Sequence, residues 1–179
     1  MTTKHFTLLR LSEEPIHLRI WEGEINGVTI KILINPTDQR VPRFIISSPS
    51  TEIFGMHYHE MPEAYKIAYM RAQDVLGYVG KQMGASLVNY RMEGNLHCRS
   101  VNPEPLHPHV HVVFRYPPGT NILDIFESMD PCFGKDYPLA DGKAKISELQ
   151  CQRLANETRK LFMEEAKLRA LWVVDETPF

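Results

Sequence analysis

His107-Pro-His-Val-His-Val-Val-Phe-Arg115 is the stretch on which the reading of this chain turns. Successive side chains of an extended strand point to opposite faces, so His107, His109 and His111 project together while Val110 and Val112 point the other way. Three imidazoles then line one surface. With an unperturbed pKa near 6.5, histidine stays neutral and nucleophilic close to physiological pH. The row therefore fits phosphoryl chemistry, metal ligation, or a polar cluster satisfied by its own hydrogen bonds. A rise of about 3.3 Å per residue puts the outer Cα atoms ~13 Å apart, wide for joint ligation of one zinc through bonds of about 2.0–2.1 Å. A site using two of the histidines stays open, with a further ligand from His57, His59, His97 or Cys98.

Outward from the row, Ile16 to Ile20 reads Ile-His-Leu-Arg-Ile and Val28 to Ile34 reads Val-Thr-Ile-Lys-Ile-Leu-Ile, two alternating runs with Asn26-Gly27 just before Val28. Asn-Gly supplies the positive φ angles of a two-residue hairpin turn, so the spacing predicts a hairpin. Arg43 to Ser47 reads as another strand. From about Pro62 to Met83 the residues Ala64, Tyr65, Ala68, Tyr69, Ala72, Val75, Leu76 and Val79 recur at three- and four-residue steps, the apolar face of a helix that Gly84 ends. Ser86 to Arg91 reads as a strand, followed by a polar, proline-broken stretch and then the histidine strand. Residues 117–142 hold four prolines and three glycines. They read as an irregular excursion with at most a short helix around Ile122 to Phe126. Ile146, Leu149, Leu154, Leu161, Phe162, Leu168 and Trp172 trace a long C-terminal helix starting near Ser147 and Glu148. Strands surrounding one central helix, without βαβα alternation, predict an α+β fold with an antiparallel sheet.

At 179 residues and 43% hydrophobic content, one domain with one core is the expectation over residues 1–179. A net charge of −2 gives no strong field toward nucleic acid or anionic membrane, so any nucleotide must be held by local groups. The three cysteines, Cys98, Cys132 and Cys151, form no C-x-x-C pair. They argue against a disulfide framework or zinc ribbon and for a reducing cytoplasm. No signal-peptide or membrane-spanning run of about 18 apolar residues is seen. Trp21 and Trp172 read as core or interface aromatics.

The run from His107 to Arg115 resembles the signature of the histidine triad (HIT) superfamily, and its His-Pro-His is similar to that of the related galactose-1-phosphate uridylyltransferases. The surroundings match in order over about residues 41 to 115: a strand, a proline, a histidine ahead of a helix at His57 or His59, the helix, a strand, then the triad. Residues 1–40 would add N-terminal strands, and 116–179 the excursion and C-terminal helix. The resemblance implies an antiparallel sheet with one central helix. It implies a nucleotide hydrolase or nucleotidyl transferase without cofactor or obligatory metal. By position, His109 would attack the α-phosphorus. His111 would face the phosphate and help protonate the leaving group, and the His107 backbone carbonyl would orient the His109 ring. Such covalent catalysis splits one displacement into two easier ones. Asn95, Ser100, Asn102, His59 and Arg115 would contact the substrate phosphate. The Gly-Gln-Ser or Gly-Gln-Thr element that family members carry just before the triad is absent, with Ser100 and Asn102 as its substitutes, and Arg115 also reads as a surface charge at a strand end. Two alternatives stand beside this: a non-catalytic HIT-like protein that binds a nucleotide or a partner, and a metal-dependent enzyme using two triad histidines. The resemblance further implies a homodimer with strands continued across the interface, a small-molecule nucleotide partner, and no polymeric nucleic acid or membrane.

Overall fold

Asn26 and Gly27 take positive φ angles of 58° and 76°, the pair that a type I′ turn requires. In the computed structural model, which describes residues 19–35, 41–93, 107–130, 133–135 and 146–169, this turn joins β1 (Arg19–Ile25) to β2 (Val28–Ile34). The sequence placed the first strand at Ile16 to Ile20. A two-residue loop demands that pairing begin at once, and Ile25 faces Val28 with the ladder running back to Arg19. Residues 16–18 of that expectation lie outside the described residues.

β3 (Arg43–Ser47), β4 (Leu87–Glu93) and β5 (His109–Arg115) complete a five-stranded antiparallel sheet of order β1-β2-β3-β5-β4. The histidine strand is therefore internal, paired on both sides. α1 (Glu63–Gln82) links β3 to β4 and packs across β2 to β5. It buries Tyr65, Ala68, Tyr69, Ala72, Val75, Leu76 and Val79, the stripe read from the sequence except for Ala64, which is only partly buried. Gly84, at φ 79°, ends it: its N–H donates to the Lys81 carbonyl and the N–H of Ala85 to that of Gly80, the paired bonds of a Schellman motif.

α2 (Glu148–Leu168) begins at Ser147, whose hydroxyl accepts the Gln150 N–H while the Gln150 side chain accepts the Ser147 N–H. It lies against β1 and α1, with Phe162 packed on Trp21 at 5.6 Å between ring centroids. Trp172, expected on this helix, falls outside the described residues. The apolar face of the sheet, with Ile30, Ile32, Phe44, Ile46, Val110, Val112 and Phe114, is fully or almost fully buried toward this helical layer. Each such side chain contributes about 1.5–3 kcal/mol on leaving water, which makes this layer the main support of the histidine strand.

The excursion after β5 contains no helix at Ile122 to Phe126. Leu123 and Asp124 both sit at positive φ, which a right-handed helix excludes, and β6 (Asn121–Ile122) pairs with β7 (Phe126–Glu127) in a small hairpin. Among the described residues no helix is long and apolar enough to cross a membrane.

Candidate active site

Strand alternation and register build the site. On β5, Val110, Val112 and Phe114 go into the core under the helices, so His109 and His111 occupy the other face. On that face Ser47 is the β3 register partner of His109, and Ile45 and Arg91 are those of His111. Pro108 brings no N–H into the ladder, and its carbonyl accepts the Tyr69 hydroxyl at 2.9 Å, tying the start of the histidine strand to α1. Burial pushes the Tyr69 phenol well above its usual value, so it remains a donor.

The three rings are joined in series. His107, just before the strand, bonds through Nε2 to the Ser48 carbonyl at 2.9 Å and rests edge-on against Phe54. Nδ1 of His109 lies 2.9 Å from the His107 carbonyl. A carbonyl only accepts, so both of these ring nitrogens carry hydrogen. Neutral His109 then presents a bare Nε2. That atom lies 3.1 Å from Nε2 of His111, which must be the donor of the pair.

Burial keeps the row uncharged. His107, His109 and His111 are 2%, 4% and 9% exposed. Loss of solvent lowers the His107 pKa, and it lowers that of His109 to about 4, with the nearby His107 ring adding to the effect. His111 falls to about 3, first through burial and then through the charges of His109, Arg43 and Arg91. At neutral pH the arrangement offers an unprotonated, oriented imidazole nitrogen with an N–H beside it. This is what attack on phosphorus needs.

The remaining sequence candidates are dispersed. His59 is on an exposed short 3-10 turn (Tyr58–Glu60) ahead of α1, its ring stacked on His57 at 5.8 Å. Arg115 is not a surface charge: it is 1% exposed and holds Asp130 through Nε at 2.5 Å and Nη2 at 3.2 Å, with a further bond to the Lys135 carbonyl. Asn95, Ser100 and Asn102, together with His97 and Cys98, lie outside the described residues. Among the described residues no group of three or more His, Cys, Asp or Glu side chains could hold a metal ion. Sequence reasoning missed Ser48, Phe54, Tyr69, Arg43 and Arg91 at the site. Only the two arginines carried a usable signal, since alternation along β3 and β4 puts each on a definable face.

No family model matches the sequence, and no curated protein matches it. Solved structures do. The uncharacterized protein LPG0439 superposes with a TM-score of 0.70 at 17% identity, over 83% of this chain and 80% of that one. A Hit-like protein involved in cell-cycle regulation from Bartonella henselae, solved with an unknown ligand, gives 0.54 at 12% identity, over 86% of this chain and 91% of that one. The histidine triad protein blr8122 from Bradyrhizobium japonicum gives 0.54 at 15%, over 86% and 94%. The fold is HIT-like. The antiparallel sheet and its central helix agree with the architecture expected from the sequence.

Proposed function

We propose that this HIT-like protein hydrolyses or transfers a nucleoside phosphate through a nucleotidyl-histidine intermediate at His109. The observation that carries the reading is the bond from His109 Nδ1–H to the His107 carbonyl, which leaves Nε2 unprotonated beside the Nε2 of His111. Attack by Nε2 needs no prior loss of a proton, because burial already holds the ring neutral. His111 supplies the adjoining N–H to the phosphoryl group, and His107 acts as a positioning residue through its backbone oxygen. Asn95, Ser100 and Asn102 stand as the further phosphate donors of this proposal, and the partner is a small nucleotide. In the same proposal a second copy of the chain joins at the outer edge of β4, where Leu87 and Tyr90 are exposed.

The test is turnover of adenosine phosphoramidate and dinucleoside polyphosphates by the parent and by His109→Ala, with alkaline quenching and mass analysis of the peptide containing residue 109. A nucleoside-monophosphate adduct on that peptide, with turnover lost in the variant, is the expected result. Equal rates in parent and variant would refute the assignment. Thermal stabilisation by a nucleotide without turnover would favour the non-catalytic binder, a reading to which the lack of a Gly-Gln-Ser or Gly-Gln-Thr sequence before the triad lends weight.

A further inference from the structure

The phase of hydrogen bonding between β3 and β5 decides which side chains crowd His109. The Phe114 N–H donates to the Pro42 carbonyl at 3.0 Å, and the register runs on from Arg43 opposite Val113 to Ser47 opposite His109. Bonded and unbonded pairs alternate along an antiparallel ladder. Phe44 with Val112 and Ile46 with Val110 are therefore of the bonded kind, and Ser47 with His109 is of the unbonded kind. The Asn35 N–H donates to the Arg43 carbonyl, so the odd-numbered residues of β3 turn their backbone groups toward β2, in agreement. Unbonded pairs bring the two Cα atoms to about 4.5 Å and their side chains closest together. Ser47 thus stands against the His109 side chain, on the face opposite the core residues Phe44 and Ile46.

Ser47 is 0% exposed, and its hydroxyl has no hydrogen-bond partner among the described residues. Lys31, its register partner on β2, gives its ammonium to Glu22 at 3.3 Å. The ring nitrogens of His109 are engaged by the His107 carbonyl and by His111. A hydroxyl buried without a partner costs stability, a cost accounted for if the partner arrives with the substrate.

We propose that the Ser47 hydroxyl is a catalytic hydrogen-bond donor to the phosphoryl group during its transfer to and from His109. The inference rests on the nucleotidyl-histidine reading and adds to it a donor from β3. In the first step Nε2 of His109 bonds to phosphorus, and the bond from phosphorus to the departing group breaks. Its electron pair leaves with that group, and the Nδ1 hydrogen stays on the ring. In the second step a water oxygen bonds to phosphorus, the electron pair of the N–P bond returns to Nε2, and one water proton passes to solvent. Ser47 keeps its hydrogen throughout. The phosphoryl oxygens are met along β5 by the N–H of His111 and from β3 by Ser47, as they crowd around phosphorus in each transition state.

The experiment measures kcat and KM on adenosine phosphoramidate and a dinucleoside polyphosphate, together with the urea midpoint, for the parent, Ser47→Ala and Ser47→Cys. Both variants should lower kcat about a hundredfold with KM little changed, because a thiol is a weak donor. The midpoint of Ser47→Ala should at the same time stand at or above that of the parent, since an unmet polar group is removed and no bond is lost. A midpoint below the parent's means that the hydroxyl already has a structural partner, a buried water included, and overturns the proposal. Unchanged kcat, or a loss confined to KM, overturns it too while leaving the His109 adduct intact. A parent without turnover counts against the nucleotidyl-histidine reading instead. Adenosine with orthovanadate, whose vanadium takes the five-coordinate shape of the transition state, then tests Ser47 by thermal shift. Stabilisation of the parent that shrinks in Ser47→Ala supports the donor, and equal stabilisation, or none in the parent, overturns it.

Discussion

Acid should unfold this protein through its histidine row. In the unfolded chain His109 and His111 take up protons near pH 6.5, whereas burial holds them to about 4 and about 3 in the fold. Below pH 6.5 the unfolded state therefore binds more protons than the native state, and stability falls as pH falls. It is complete above about 6.5 and declines until the folded values are reached. At pH 5 both residues are still neutral in the fold, and each has lost about 2 kcal/mol at ~1.4 kcal/mol per pH unit. Together that is about 4 kcal/mol out of a typical 5–15 kcal/mol for a domain. Urea unfolding followed by tryptophan fluorescence between pH 7.5 and 4.5 measures it, with His109→Asn, His111→Asn and the double variant as references. The parent should lose stability steeply below pH 6.5, and the double variant should lose about 4 kcal/mol less between pH 6.5 and 5. Equal slopes in parent and double variant would refute the claim that these rings are held neutral by burial.

Two further outcomes follow from the contacts around the strand. Asp130→Ala leaves the Arg115 guanidinium buried without its carboxylate and should cost about 3–5 kcal/mol in urea unfolding at pH 7. A loss comparable to that of a surface ion pair, about 1 kcal/mol or less, would contradict that account. Tyr69→Phe removes the donor to the Pro108 carbonyl and should cost about 1–3 kcal/mol, measured as the shift in the urea midpoint at unchanged slope.

The features legible in the sequence were those encoded within one short stretch. His107 to Arg115 carries a period of two, so its faces could be read without knowing its neighbours. The α1 stripe and its glycine stop are local too, as is the Ser147 cap. The first strand was ended too early because Ile16 to Ile20 alternates cleanly, whereas Trp21-Glu-Gly-Glu-Ile25 is interrupted by Gly23. Turn length overrode alternation there, since pairing runs directly into Asn26-Gly27. Ile122, Leu123, Ile125 and Phe126 mimic helical spacing, yet two consecutive left-handed residues turn the segment back on itself. The partners of the row were hidden because they depend on long-range register. Ser48 is 59 residues from His107 and Tyr69 is 39 from Pro108. Arg115 looked like an exposed strand end because its acid, Asp130, comes 15 residues later across the excursion.

The 3.1 Å approach of the His109 and His111 Nε2 atoms has room for a single hydrogen. In the resting protein the lone pair that would attack is therefore capped by the neighbouring ring. Anything electrophilic that claims this lone pair has to evict the hydrogen, and the evicted N–H is left pointing at the oxygens of the newcomer. Uncovering the attacking atom and arming the adjacent donor become one rotation of one imidazole, so idle and engaged forms should differ chiefly in the torsion angles of His111.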